Sequence, residues 1–318
     1  MTATDKIQEA PGEGGATHSA SDIDDGNPDF QIFTSLRSDA LLLTCPQNHQ
    51  HSSSPPTPTQ FYMLNYHRDR LLAAAQAFNW DHAIRVLSGN NGLAKLDSQL
   101  HEHLLSAYGD ANYPDPLKVR VEISWPSSLS VTSSPTPTVD SFVLFPHRLY
   151  ESPMPAPNFP MWRVYVCPNS VPASKWTSHK TTHREVYDRA REQIPTLPQW
   201  LITSDATERT EILLQNPDGY VSECSISTPY FFKRGKDEKG KWKGEGRWIT
   251  PQKEDGGNLG VTRSWALEQG LVTEEAVKAN ELKLGDPLWI SNGVRGWRWG
   301  RIDGFVEKCQ DWPEIEQI

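Results

Sequence analysis

Two hydrophobic periods in the first half of the chain restrict the fold more than any other feature of the sequence. Apolar residues recur at helical spacing in residues 71–78 and again in residues 93–104, as expected for helices that pack one face on a core. In residues 117–123 apolar and charged residues alternate instead, which is the period of a half-buried strand. We therefore predict an α+β unit with antiparallel pairing, in which residues 141–145 form a second strand beside this one.

The second half is rich in predicted strands. Strand patterns occur at residues 162–166, 211–214, 220–224, 230–232, 248–250 and 287–291, with helices predicted at residues 181–193 and after Gly260. The sequence Asn-Pro-Asp-Gly at 216–219 is typical of a hairpin turn. A proline-rich run at 153–160 reads as a linker between the two halves.

This pattern predicts two domains. The boundaries are a disordered tail at 1–28, a small α+β domain at 29–152, a larger strand-rich domain at 161–303 and a C-terminal tail at 304–318. Two low-complexity stretches, 45–59 and 126–138, are rich in Ser, Thr and Pro. Because such long loops are uncommon inside a compact domain, we predict that both are insertions between strands.

The composition excludes several classes of function. The formal net charge of −9 argues against general nucleic-acid binding, which needs a clustered basic surface. No apolar run approaches the roughly 20 residues that span a bilayer, and the first 30 residues lack the apolar segment of a secretory signal. The four cysteines have no metal-ligand spacing, so reduced thiols in a cytoplasmic enzyme are expected.

One short segment places several cations around a lysine. Lys180 lies in the run His-Lys-Thr-Thr-His-Arg at 179–184. Neighbouring positive charges lower the pKa of an amine, which a lysine needs in order to attack a carbonyl near neutral pH. On the residues alone, a solvated charged surface is the more common explanation of such a segment.

Three further segments contain groups that could bind a ligand. Glu223 could accept a hydrogen bond from a heterocyclic N–H, or it could face water at the end of a strand. The glycine-rich run 256–263 leads into a helix and predicts a phosphate site, with an ordinary loop as the alternative. Ser291 and Asn292 supply a hydroxyl and an amide after a strand, and Arg70 is either a phosphate clamp or a surface charge.

The order and spacing of these segments resemble the fold-type IV pyridoxal-phosphate enzymes, the class IV aminotransferase family. Within it the chain is most similar to the fungal 4-amino-4-deoxychorismate lyases. The resemblance runs from about residue 27 to residue 301 and is most specific from Lys180 onward. The matching blocks are Asn27-Pro28-Asp29-Phe30, Leu36-Arg37, Leu64 to Arg70, Lys180-Thr181-Thr182-x-Arg184 with Tyr187, Glu211-Ile212-Leu213 with Glu223, Gly260-x-Thr262-Arg263, and Asn292-Gly293-Val294-x-Gly296.

The resemblance implies two domains, the second a strand-rich pseudo-barrel, with pyridoxal 5'-phosphate bound between them. Lys180 would bind the cofactor covalently and then act as acid and base, while Glu223 would pair with the pyridine nitrogen. The phosphate would be held by Arg70, Asn292 and the backbone N–H groups of Val261 and Thr262, in the block that begins at Gly260. The resemblance also implies a homodimer, without a metal.

The activity implied by the resemblance is lysis of 4-amino-4-deoxychorismate to p-aminobenzoate and pyruvate. Arg184 matches a lyase position, and Arg295 and Arg298 either receive the two substrate carboxylates or lie at an interface or surface. Two alternatives stay open: an aminotransferase for branched-chain or D-amino acids or amines, which shares fold and cofactor, and a non-catalytic member. The second is indicated by Thr228-Pro229, where the family usually has Asn and an apolar residue.

Overall fold

Two units of secondary structure face each other across a cavity. The computed structural model describes residues 29–49, 57–109, 114–126, 128–151, 161–196, 209–235 and 246–313. The tail predicted at 1–28 and the linker predicted at 153–160 therefore lie outside the described residues. Among the described helices, none is both long and apolar enough to cross a membrane.

The N-terminal unit contains a three-stranded antiparallel sheet covered by helices. The sheet has the order β1-β2-β3, with β1 at Gln31–Ser38, β2 at Leu117–Ser124 and β3 at Ser128–Pro135. The helices are α1 (Leu64–Ala77), α2 (Asp81–Leu87) and α3 (Gly89–Tyr108). The apolar side of β2 and the leucines of α3 share one core. The helical and alternating periods predicted from the sequence, and the antiparallel pairing, are confirmed.

Two predictions for this unit are wrong. Residues 126–138, expected to be a loop, contain β3, which pairs with β2 along its whole length. Because β3 is an edge strand with exposed Ser and Thr side chains, its composition resembles a loop, although Leu129 and Val131 pack on the core. Residues 141–145, expected to be a strand, contain the short helix α4 (Ser141–Leu144). Both edges of β2 are already occupied by β1 and β3.

The C-terminal unit is an eight-stranded mixed sheet with the order β6-β5-β4-β11-β10-β7-β8-β9. The strands are β4 (Trp162–Ser170), β5 (Thr210–Gln215), β6 (Val221–Cys224), β7 (Thr228–Lys233), β8 (Arg247–Thr250), β9 (Thr273–Glu274), β10 (Pro287–Asn292) and β11 (Gly296–Phe305). The helices are α5 (Lys175–Ser178), α6 (Glu185–Glu192) and α7 (Val261–Glu268). The predicted strands of this half are confirmed, whereas β9 and β11 were not predicted.

Backbone hydrogen bonds join the two units beside β1. Ile32 and Thr181 form an antiparallel bridge, the amide of Phe33 donates to the Lys180 carbonyl at 2.9 Å, and the amide of Thr182 donates to Gln31 at 2.9 Å. The helix predicted at 181–193 therefore begins only at Glu185, because the two residues after Lys180 are paired with β1. This pairing fixes the backbone of Lys180 against the other unit.

Candidate active site

The cavity between the two units has a volume of about 560 Å³, a size typical of sites for small molecules and cofactors. On one side it is bounded by β1, β2 and the segment after β3. On the other side it is bounded by the segment from α5 to α6, by the end of β6, and by the start of α7. The turn between β10 and β11 also lines the cavity.

Lys180 lines this cavity, with its Nζ 5.0 Å from the centre of the Phe33 ring. Burial lowers the pKa of the Lys180 amine, and the positive charges of Arg70 and Arg184 lower it further. Glu223 acts in the opposite direction on the pKa, but burial and the cations dominate. The arrangement therefore favours an uncharged, nucleophilic amine near neutral pH.

The two histidines beside Lys180 do not contribute to this effect, contrary to the sequence-based prediction. The groups that shift the pKa of Lys180 include Arg184 but neither histidine. The His183 ring packs on Trp176, with centroids 4.7 Å apart. Burial and the charges of two lysines lower the pKa of His179, so this ring stays neutral near pH 7.

Lys118 and Arg120 also line the cavity, and neither was predicted as a site residue from the sequence. They lie on the polar face of β2, which the alternating pattern suggested would face water. The Arg120 guanidinium lies 3.6 Å from the centre of the Phe33 ring and donates to Glu122 Oε1 at 2.8 Å. The signal in the sequence is the presence of two cations on one face of a strand in an acidic chain.

Glu223 lies at the cavity and is almost fully buried, so the alternative of a water-facing carboxylate is wrong. The Tyr187 hydroxyl donates to Glu223 Oε1 at 2.6 Å, and the backbone of Asn258 also forms a hydrogen bond with the carboxylate. Burial raises the pKa of Glu223, while these two hydrogen bonds partly offset the increase. A carboxylate in this setting readily shares a proton with a basic partner.

The N-terminus of α7 opens onto the cavity at Gly260 and Val261. The first intrahelical bond runs from the Ser264 amide to the Gly260 carbonyl at 3.0 Å, so the earlier amides of the first turn have no acceptor within the helix. A Cβ atom at Gly260 would lie 2.5 Å from Thr228 Oγ1. The tight space therefore requires glycine and leaves the N–H groups accessible, as a phosphate site needs.

Thr262 and Asn292 have side chains with partners inside the protein. The Thr262 hydroxyl bonds to Ser291 Oγ at 2.7 Å, and Thr262 does not itself line the cavity. Asn292 does line it; its Oδ1 accepts from the amides of Val294 at 3.1 Å and Arg295 at 2.8 Å. Thr262 is therefore placed to offer only its backbone N–H, and Asn292 its side-chain NH2.

Arg70, Arg184 and Arg295 all line the cavity. Arg184 Nη2 donates to the Ser225 carbonyl at 2.8 Å, and the Arg295 guanidinium lies 5.5 Å from the centre of the Trp162 ring. Arg298 was considered together with Arg295 as a residue for the substrate carboxylates, but it is not among the residues that line the cavity. Burial lowers the pKa of Arg298 to about 10, and it donates to the Trp297 carbonyl at 3.2 Å.

The lining of the cavity is strongly cationic. Within the described residues, one carboxylate, Glu223, and six basic side chains line it, although the whole chain carries a formal charge of −9. The basic residues are Arg70, Lys118, Arg120, Arg184 and Arg295, together with Lys180, whose lowered pKa favours the uncharged amine. Such a concentration of positive charge selects a ligand with several negative groups.

A comparison with protein families and curated proteins identifies relatives of this chain. The family model described as "Amino-transferase class IV" matches residues 57–300. The aminodeoxychorismate lyase of Saccharomyces cerevisiae is 33% identical over 138 residues, which are 42% of this chain and 35% of the relative. The match thus spans about a third of the length of this curated relative.

Solved structures show the same fold. The fold IV-transaminase of Curtobacterium pusillum has a TM-score of 0.52 and 15% identity, covering 89% of this chain and 82% of its own. A branched-chain aminotransferase of Thermoproteus uzoniensis has a TM-score of 0.52 and 17% identity, covering 89% of this chain and 81% of its own. A Legionella pneumophila protein provisionally assigned as a 4-amino-4-deoxychorismate lyase has a TM-score of 0.52 and 13% identity, covering 89% of this chain and 86% of its own. The predicted two-domain α+β fold is confirmed.

Proposed function

Because this chain belongs to the class IV aminotransferase family, whose members are pyridoxal-phosphate enzymes, we propose that it is a lyase that converts 4-amino-4-deoxychorismate to p-aminobenzoate and pyruvate. The observation that carries the proposal is the cationic lining of the cavity. The substrate has two carboxylates and the cofactor has a phosphate, so together they match this charge. The similarity to the yeast aminodeoxychorismate lyase supports the same reaction.

The residues at the cavity fit pyridoxal 5'-phosphate. The amine of Lys180, the buried carboxylate of Glu223 and the α7 N-terminus are the three groups needed for its aldehyde, its ring nitrogen and its phosphate. Two further observations support a phosphate subsite. Gly260 has no room for a Cβ atom, and the buried Nε of Arg70 has no hydrogen-bond partner among the described residues. When bound, the cofactor withdraws electrons from the carbon that carries the reacting amine.

Each residue then has a defined task in the proposed reaction. Lys180 Nζ would hold the cofactor and, when released from it, would take the proton from the amine-bearing carbon of the substrate. Glu223 would keep the ring nitrogen of the cofactor protonated, with its carboxylate held by Tyr187. Departure of the neighbouring enolpyruvyl group makes the ring aromatic, and a proton delivered to that group gives pyruvate.

A second set of cations, Lys118, Arg120 and Arg295, is assigned to the substrate carboxylates. The charges of Arg120 and Arg295, after burial, lower the pKa of Lys118, so the three groups are close enough to repel one another. A bound carboxylate relieves that repulsion. Apart from two prolines, only three aliphatic side chains line the described cavity, Ile226, Val261 and Val294, which disfavours a branched-chain amino acid as substrate.

The same cationic lining supports a second candidate function, an aminotransferase for an acidic amino donor. Fold and cofactor are common to both reactions. Incubation of the purified protein with 4-amino-4-deoxychorismate, without any 2-oxo acid, tests the proposal. We expect p-aminobenzoate and pyruvate in a one-to-one ratio; their absence, with transfer from an amino donor to a 2-oxo acid, would favour the alternative. The homodimer and the cytoplasmic location stay predictions.

A further inference from the structure

Arg70 is held by a short chain of hydrogen bonds that ends at a histidine on the same helix. His67 and Arg70 lie one turn apart on α1 and both reach Thr34 of β1. Arg70 Nη2 donates to Thr34 Oγ1, and Thr34 Oγ1 lies 2.5 Å from His67 Nδ1. The Nε of Arg70 is buried and has no hydrogen-bond partner within the described residues.

The direction of each hydrogen bond follows from the donors available. A guanidinium only donates, so Thr34 Oγ1 accepts from Arg70. Arg70 Nη2 also lies 3.4 Å from His67 Nδ1, and a nitrogen that faces a guanidinium is suited to accept a hydrogen bond rather than donate one. Thr34 then gives its single proton to His67 Nδ1, and His67 is a neutral imidazole with its proton on Nε2. Burial, with the positive charges of Arg70 and Lys180, agrees with this assignment by lowering the pKa of His67 well below its ordinary value.

The imidazole cannot shift to a different partner. A Cβ at Gly293 would lie 2.6 Å from His67 Cε1 and 2.7 Å from His67 Nε2, so the ring packs directly on the glycine backbone. His67 is fully buried, and its Nε2 has no hydrogen-bond partner in the described part of the chain. The polar contacts of the ring are therefore those of Nδ1, with Thr34 Oγ1 at 2.5 Å and, more distantly, with Arg70 Nη2 at 3.4 Å.

We propose that His67 is a positioning residue that, through Thr34, orients the Arg70 guanidinium for the phosphate of the cofactor. The inference rests on the proposed function, which assigns Arg70 to that phosphate. When His67 Nδ1 accepts the Thr34 proton, that proton points away from Arg70. A lone pair of Thr34 Oγ1 then points toward the Arg70 guanidinium. Without that acceptor the Thr34 hydroxyl can rotate, and Arg70 loses its fixed direction.

Titration of the cofactor-free protein with pyridoxal 5'-phosphate, pyridoxal and inorganic phosphate tests the proposal. His67→Leu and the isosteric Thr34→Val should each weaken binding of pyridoxal 5'-phosphate by about tenfold, the effect of one lost hydrogen bond. The double variant should bind no more weakly than the weaker single one. His67→Asn, with an oxygen near the position of Nδ1, and Thr34→Ser should bind within about twofold of the unchanged protein.

Binding of pyridoxal, which has no phosphate, should stay unchanged in all variants. Equal losses for pyridoxal and for pyridoxal 5'-phosphate, additive losses in the double variant, or full affinity in Thr34→Val would each overturn the inference. If His67→Leu does not fold, the comparison of Thr34→Val with Thr34→Ser gives the same decision. Failure of the unchanged protein to bind pyridoxal 5'-phosphate would instead contradict the proposed function. In that case, the affinity of each variant for inorganic phosphate would test whether His67 and Thr34 orient Arg70.

Discussion

Lys180 is surrounded by cations from distant parts of the sequence. Arg70 comes from α1, Arg120 from β2, and only Arg184 from the same segment. Since the first two reach the lysine only after the two units meet, the sequence around position 180 shows one of the three charges. The pKa of Lys180 is thus a property of the assembled cavity.

Removal of a nearby cation should make Lys180 less reactive at neutral pH. Arg184→Gln removes a charge that lowers the pKa of Lys180, so that pKa rises and the uncharged amine appears only at higher pH. We expect the pH profile for fixation of pyridoxal 5'-phosphate by borohydride, measured on the Lys180 peptide, to move to higher pH. The exposed Arg85→Gln should leave it in place, Lys180→Ala should abolish labelling there, and an unmoved profile in Arg184→Gln would contradict the assignment.

Glu223 and Tyr187 should share one effect on activity. The Tyr187 hydrogen bond lowers the pKa of Glu223, so Tyr187→Phe raises that pKa, and the acidic limb of the pH–rate profile moves to higher pH.

Glu223→Gln removes the charge of the carboxylate and should cost about 1.5–3 kcal/mol in cofactor binding, with a much slower turnover. Tyr165→Phe is the control, because its hydroxyl contacts Asp303 at 3.3 Å outside the cavity. Normal turnover in Glu223→Gln would show that the carboxylate has no role in the reaction.

At the scale of the elements, the site depends on how closely the start of α7 approaches β7. Thr228, which departs from the usual family residue, begins β7 and fills the space beside Gly260. The hydroxyl of Thr228 and the missing side chain at position 260 are therefore complementary. A residue that breaks the family pattern here has a local structural explanation.

Gly260→Ala should weaken binding of pyridoxal 5'-phosphate by about 1–3 kcal/mol, the usual effect of overpacking. Because the conflict is with Thr228 Oγ1, adding Thr228→Ala should restore most of the affinity. Gly270→Ala is the control, since φ at Gly270 is 65° with open space around it; it should cost about 1 kcal/mol of stability without changing affinity. Titration and thermal unfolding separate the two effects. No recovery in the double variant would contradict the packing argument.

Elements with a clear hydrophobic period were predictable from the sequence, and those shaped by their neighbours were not. The leucines of α3 and the alternation in β2 predicted both elements, because each buries one face against the same core. β3 was missed because the Ser and Thr residues of this edge strand give it the composition of a loop, although Leu129 and Val131 pack on the core. The start of α6 was misplaced because Thr181 pairs with β1, a contact between distant segments.

The residues of the candidate site also divide into those that the sequence predicted and those that only the packed structure reveals. Lys180, Glu223 and Gly260 were found because each lies in a recognisable block of a family pattern. Lys118 and Arg120 belong to no such block, and their strand pattern is equally compatible with solvent. Thr34 and His67 were missed for a further reason: their roles depend on the direction of hydrogen bonds, which only the packed structure specifies.

At the scale of the whole molecule, a chain with a formal net charge of −9 places six of its basic side chains around one cavity. This arrangement attracts anionic ligands to the site. Lys118→Gln should raise the KM for the dicarboxylate substrate by about tenfold or more, as expected for a lost charged hydrogen bond. Turnover should change little, because Lys118 is not among the groups that shift the pKa of Lys180. The exposed Lys95→Gln is the control, and equal KM values in both variants would remove Lys118 from the substrate site.

The choice between the two candidate reactions depends on what becomes of the substrate's amino group. A lyase returns the cofactor to its aldehyde form after every turnover, since the amine leaves with p-aminobenzoate and no acceptor is needed. An aminotransferase must store the amine on the cofactor in its first half-reaction, so a donor alone bleaches the visible absorption until a 2-oxo acid restores it. We expect 4-amino-4-deoxychorismate to give product over many turnovers with the visible band retained, and glutamate or aspartate to leave the band unchanged. The cationic lining attracts both kinds of ligand, so binding cannot decide the question and the spectrum during turnover can. Rapid bleaching by an acidic amino acid, with no p-aminobenzoate formed from the lyase substrate, would reassign the cavity to transamination.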